Sequence, residues 1–159
     1  MPEPTLREAI LKVFKTRLGE IQTANGFFTD AGLALQIGES HRIGPDDPVP
    51  AVAVLVGDDE IVHEGERIAV TLPIDIEIVT RAEETDGWQS IERALGDVKR
   101  AMELNTSGHR LTDIPDSVGT PPQLQRGNTR TLPREEGSVT IGAVLRYRVG
   151  PFTEGWGQP

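Results

Sequence analysis

The sequence predicts an α+β fold: a mixed or antiparallel sheet of about four main strands, with two helices packed on one face, in the order α-β-β-β-α-β. Three observations carry this. Residues Ile68–Ile78 alternate without a break, with Ile68, Val70, Leu72, Ile74, Ile76 and Ile78 on one side and Ala69, Thr71, Pro73, Asp75 and Glu77 on the other. Only the two-residue period of a strand sorts six large apolar side chains this way. Val139, Ile141, Ala143, Leu145, Tyr147 and Val149 repeat the pattern near the C-terminus. Two stretches of helical periodicity flank these strands, and a sheet with one apolar face needs helices to cover it.

The first helix opens on Thr5-Leu6-Arg7-Glu8, a capping box in which hydroxyl and carboxylate each satisfy a free backbone N–H. Leu6, Ile10, Val13, Phe14, Leu18 and Ile21 then recur at helical spacing, and Asn25-Gly26 ends the element or the turn after it. Leu33, Leu35 and Ile37 suggest a first strand, Gly44-Pro45-Asp46-Asp47-Pro48 a loop, and the apolar run Val49–Val56 a central strand. Asp58, Asp59, Glu60, Glu64 and Glu66 surround a turn into the long strand. A second helix starts near Asp86, with Trp88, Ile91, Leu95, Val98 and Met102 facing the core. The expected core therefore joins Leu6, Ile10, Phe14, Trp88, Ile91, Leu95 and Val98 to the apolar strand faces.

Residues 1–159 read as a single domain. Residues 105–137 hold Pro115, Pro121, Pro122 and Pro133 among several glycines and read as a long loop insertion before the last strand. Residues 150–159, GPFTEGWGQP, read as an irregular C-terminal tail.

Composition removes several function classes. There is no cysteine, hence no disulfide, thiolate zinc site or cysteine nucleophile. The net charge of −9 argues against non-specific attraction to DNA or RNA as the main activity, and no specific nucleic-acid binding is expected. No apolar run approaches the roughly 20 residues that span a bilayer. The start MPEPTLREA lacks the build of a signal peptide, so the chain is expected to be kept in a cytoplasm.

Catalytic motifs fail in turn. Gly38-Glu39-Ser40-His41-Arg42 has arginine where a nucleophile elbow needs glycine. His63-Glu64 lacks the second histidine of a zinc-protease helix, since Arg67 stands there. Asp75 and Glu77 share a strand face about 7 Å apart, as in nucleases that hold magnesium, but the lysine expected two positions on is Val79. The plainer reading makes them solvated residues on an open sheet face. No cofactor and no catalytic group are expected. Arg126, Arg130 and Arg134 recur every four positions, and Trp156 stands between two glycines. The arginines read as an arm laid against an acidic surface or nucleic acid, or as a solvated loop, and Trp156 as an aromatic anchor or a disordered end. These four, with Asp75 and Glu77, are the candidate interface residues, tryptophan being enriched in binding hot spots.

The series of elements resembles the tail terminator proteins of long-tailed bacteriophages, and more broadly their minor tail and neck completion proteins. The opening helix Thr5–Leu11, the strand Pro50–Val56, the strand Leu72–Val79, the helix Ile91–Leu104 and the closing strand Val139–Tyr147 carry the resemblance, which covers residues 4–150. It implies a non-catalytic virion protein, assembled in the host cytoplasm, that forms a homo-oligomeric ring, expected to be a hexamer, on the head-proximal end of the tail tube. The implied partners are further copies of the chain, the tail tube protein and the head–tail connector or neck protein, with no membrane and with DNA only passing through the ring. Another neck, connector or baseplate role is the alternative within the virion; outside it the alternatives are a magnesium-dependent nuclease or resolvase and a bacterial adaptor domain that binds one acidic or basic partner as a monomer.

Overall fold

The structure, a computed structural model, describes residues 4–38, 43–44, 46–65, 67–82, 87–104, 110–111, 113–114, 121–133 and 138–153. Helix α1 spans Leu6–Gly19 and begins with the expected capping box: Thr5 Oγ1 accepts the Glu8 N–H, and the Thr5 N–H donates to Glu8 Oε2. Its inner face buries Ile10, Phe14 and Leu18. Two 3₁₀ turns follow, Thr23–Asn25 and Ala31–Ala34. The second presses on the end of α1 so closely that a Cβ on Gly32 would sit 2.5 Å from the Leu18 carbonyl oxygen.

The strands are β1 (Leu35–Gly38), β2 (Ala51–Val56), β3 (Glu60–Glu64), β4 (Arg67–Arg81), β5 (Leu124–Thr131) and β6 (Thr140–Thr153), with α2 (Gly87–Glu103) between β4 and β5. They form one mixed sheet in the order β1-β2-β4-β6-β5, and β3 pairs with β4 on the edge that β2 also occupies. Only β1 and β2 are parallel. Such a pair needs a crossover of about a dozen residues, which residues 39–50 supply.

The α+β class, the helices on one face and the long alternating strand are as the sequence predicts. The sheet has six strands rather than about four, because β3 and β5 add edges that burial does not announce. Residues 124–131, expected within a loop insertion, form β5, held by its ladder with β6. Residues 150–153, expected in an irregular tail, continue β6, where Phe152 pairs with Val70 and is buried.

The core lies between the helices and one sheet face. Val52, Val54, Leu72, Ile74, Ile76, Ile78, Leu145, Tyr147 and Val149 meet Ile10, Phe14, Ile91, Leu95, Val98 and Met102 there. The Phe14 and Tyr147 rings meet edge to face at 6.2 Å, a favoured aromatic geometry. Leu6 packs at the margin of this core. Three residues assigned to it lie outside, among them Val139, 74% exposed and one residue before β6 begins. Trp88 is 66% exposed, since it sits in the first turn of α2, a turn before the buried stripe that starts at Ile91. Ile68 is also exposed, because it pairs with His63 beyond the point where β6 ends opposite Ala69.

Pro73 determines how β2 passes into β3. Its carbonyl accepts the Gly57 N–H at 2.9 Å, but proline has no N–H to return. At this position the ladder lapses: Gly57, Asp58 and Asp59 on one side face Leu72 and Pro73 on the other before pairing resumes at Glu60↔Thr71. The extra residue is a β-bulge, and Asp59 in it binds Arg7 at the start of α1. Beyond the bulge, β3 and the first residues of β4 form a hairpin arm whose turn places Gly65 at φ 64°, a left-handed conformation suited to glycine.

Candidate functional site

Asp75 and Glu77 share the sheet face opposite the helices, as the alternation of β4 requires, yet their surroundings differ. Asp75 stands opposite Arg146 of β6. The guanidinium donates from Nε and Nη2 to the two carboxylate oxygens at 2.8 and 3.1 Å. The hydrogen bond with Asp75, and then its charge, raise the arginine above its ordinary pKa. The pair is partly exposed and worth about 0–1 kcal/mol; its geometry fixes two strands in register.

Glu77 corrects an expectation. It is not solvated but 3% exposed, and its Oε1 accepts the Ile43 N–H at 3.1 Å. Ile43, in the connection between β1 and β2, lies against this part of the sheet, and Ala51 and Ala53 beside Glu77 are buried as well. The face is open toward β6, where Arg146 and Arg148 are exposed, and covered toward β2.

The arginines do not form one arm on a loop. Arg126 and Arg130 belong to β5, and a bulge between Arg126 and Thr129 offsets their register. Arg126 pairs with Tyr147 and so faces the helices, whereas Arg130 pairs with Val144 on the opposite face. The spacing of four that suggests a common face is undone by the one inserted residue. Arg126 Nε lies 3.6 Å from Glu103 Oε1, and Glu103 also accepts the Tyr147 hydroxyl proton at 3.0 Å. Burial, reinforced by that carboxylate, holds the tyrosine above the usual phenol range. Arg134, Trp156 and the Ser40-His41 pair lie outside the described residues.

Three features escape a reading of the sequence. Asp97, in the middle of α2, is buried and accepts from the Phe28 N–H, the Thr29 N–H and the Thr29 hydroxyl at 3.0, 2.8 and 2.8 Å. It fixes the loop that leads into the Ala31–Ala34 turn. Arg93 and Arg100 lie over the rings of Phe28 and Phe27 on the same side. Second, the hairpin arm exposes Ile61 and Val62, each 56% accessible, together with Ile68. Third, a groove runs between α1 and the edge strand β1, with Leu11, Leu33, Leu35 and Ile37 along it and Lys12 and Lys15 at its rim. The only signal for the groove in the sequence is that a chain with three lysines places two of them in one turn of α1. Exposed apolar strands and grooves are surfaces for association. Among the described residues no three of His, Asp and Glu come together as a metal-ligand group, and no helix is long and apolar enough to cross a membrane.

No protein-family model matches the chain, and no curated protein matches it in sequence. In the solved structures, a chain in "Virion of native gene transfer agent (GTA) particle" is similar in fold: the TM-score is 0.50 and the identity 16%, over 91% of this chain and 92% of that one. At that identity the likeness concerns the fold, and it extends over nearly the whole of both chains.

Proposed function

We propose that this protein is a structural component of a phage-like virion, and that it caps the head-proximal end of the tail tube as a ring, most simply of six copies, joining the tube to the head–tail connector. The observation that carries this is the fold shared along nine-tenths of both chains with a chain of the gene transfer agent virion. The order of elements, which resembles that of tail terminators, points the same way. The proposed role is non-catalytic and virion-located, and needs no cofactor.

The surfaces suit it. A tube end accepts further tube protein until something matches it on one side and offers a different surface on the other. A closed ring built on a head-to-tail contact has no growing edge. Among the described residues, this chain offers two free sheet edges, an apolar arm and a lysine-rimmed groove as distinct surfaces for neighbours.

The test is deletion of the gene in the phage or element that carries it. Tails of uncontrolled length, free heads and normal DNA packaging are expected. Tails of normal length that fail to join heads would refute termination and assign the protein to the connector.

A further inference from the structure

We propose that the β3–β4 hairpin arm of one copy docks, by strand addition, into the groove between α1 and β1 of a second copy. This rests on the reading of the protein as a ring-forming subunit and names the contact that builds the ring.

The arm and the groove complement each other in three respects. The first is apolar surface. Ile61, Val62 and Ile68 stand exposed on the arm, and Leu33, 69% exposed, and Ile37 stand exposed at the groove. The second is backbone. β3 pairs only with β4, and β1 pairs only with β2 among the described strands, so each presents a free edge. Joining edge to edge extends one sheet into the next and satisfies both rows of backbone groups. It also sorts the side chains. Ile61 pairs with Val70 and Leu35 with Val52, so both point to the helix side of their sheets. A β3 strand laid along β1 with these sides aligned places Ile61 in the groove and Val62 on the opposite face.

The third is charge. Residues 58–66 carry five acids, Asp58, Asp59, Glu60, Glu64 and Glu66, and no lysine or arginine. Asp59 and Glu60 are already bound to Arg7 and Arg148, and Glu60 shares the face of Val62, so of the arm's described acids the exposed Asp58 at its base is the one left to meet a cationic rim. The groove rim carries Lys12 and Lys15, both exposed, in a chain of net charge −9 with a single further lysine, Lys99. An apolar strand with an exposed acid at its base fits this groove better than a tube or neck protein of unspecified charge. The arm's own copy does not supply it, because the arm continues the rigid β4 ladder. The two surfaces are different, so the contact is head-to-tail, the kind that closes into rings.

The absence of cysteine in the chain makes a direct test available. Copies bearing Ile61→Cys are mixed with copies bearing Leu33→Cys and treated with a short bismaleimide. Each variant's thermal melt is compared with wild type, and the native mass of the wild type is measured under the same conditions. Cross-linked dimer is expected from the mixture and from neither variant alone. Lys12→Glu with Lys15→Glu should abolish it, and Asp58→Lys in the arm partner should restore it in part. Thr131→Cys on β5, at the other sheet edge, serves as control in place of Leu33→Cys.

A ring by native mass with no Ile61–Leu33 product overturns this contact and leaves the ring standing. Efficient coupling to Thr131 instead moves the contact to β5 and also overturns it, as does capture of Leu33→Cys by tube protein in place of a second copy when tail tubes are added to the mixture. A monomer with no product overturns contact and ring together. Cross-linked rings whose loss leaves tail length normal support the contact and refute termination.

Discussion

Replacing Asp97 by alanine tests whether one carboxylate on α2 holds the loop that leads to the groove. Asp97 accepts three hydrogen bonds, two from backbone N–H groups and one from a hydroxyl, at 2.8–3.0 Å. A hydrogen bond to a charged group contributes about 1.5–3 kcal/mol, and a buried donor left without a partner costs about 1–3 kcal/mol. The loop is only partly buried, so water recovers some of that loss, and the lower ends of these ranges apply. Alanine is also the better helix former, which returns about 0.5 kcal/mol. The net loss should be about 2–3 kcal/mol, which for a domain of this size lowers the melting temperature by about 4–12 °C. Urea unfolding should show the same loss with an unchanged slope, and hydrogen exchange should speed up at the Phe28 and Thr29 amides. Asp97→Asn, which keeps an acceptor oxygen without the charge, should fall between the two. A cycle with Thr29→Val separates the hydroxyl bond from the backbone pair. If Asp97→Ala stays within about 0.5 kcal/mol of wild type, the loop is not held by this carboxylate.

Ile76, fully buried between Val54 and Leu145 on the central strand, should tolerate no charge: Ile76→Asp should cost more than about 4 kcal/mol and abolish a cooperative melt. Asp75→Ala on the opposite face should change stability by about 1 kcal/mol or less, and equal melts for the two variants would show that the faces are wrongly assigned. Tyr147 is the only tyrosine, so phenolate absorbance reports on it alone. Its pKa is raised by folding, so its contribution to stability is complete below the unfolded value of about 10 and is lost as pH rises above it. Phenolate should therefore appear only as circular dichroism shows unfolding, and a reversible titration near the ordinary value in the folded protein would contradict the burial of the hydroxyl.

The parts of the fold legible in the sequence are those whose signal is local and driven by burial. The Thr5–Glu8 capping box, the alternation of β4, the apolar run of β2 and the Ile91–Met102 stripe each announce themselves within one or two turns or a single strand. The strands that escape notice are not organised by burial. β5 reads LQRGNTRT and is exposed from its second residue on; ladder bonds to β6 make it a strand. β3 is five residues long, with Ile61 and Val62 both exposed and on opposite faces, so no alternation marks it. Candidate site residues were harder still, because their surroundings come from elsewhere in the chain. Glu77 is buried by a segment that includes Ile43, and Asp97 owes its role to Phe28 and Thr29. Arg126 and Arg130 are set on opposite faces by one inserted residue, which spacing alone does not reveal.

The arm itself follows from a single imino acid. In an antiparallel ladder the N–H and C=O of one residue point to the same neighbour, so Pro73, whose carbonyl meets Gly57, lacks its N–H on that same edge. On the other edge Pro73 keeps its place opposite Arg148, and the β6 ladder shifts register by one residue just beyond, between Val70 and Leu72. β4 continues as one strand, paired with β6 on both sides of that shift, through the position at which its outer partner changes from β2 to β3. What projects from the body is a continuation of the central strand, tied at its base by Asp59–Arg7 and Glu60–Arg148. A segment already ordered in this way gives up little conformational freedom when a neighbour binds it, in contrast to a loop of the same length, which would lose about 1–2 kcal/mol of backbone entropy per residue. The apolar side chains of the arm are thus displayed at a fixed distance and angle from the sheet. In the proposed ring, where every subunit must repeat one geometry for the circle to close, a fixed arm would select a single rotation between neighbours.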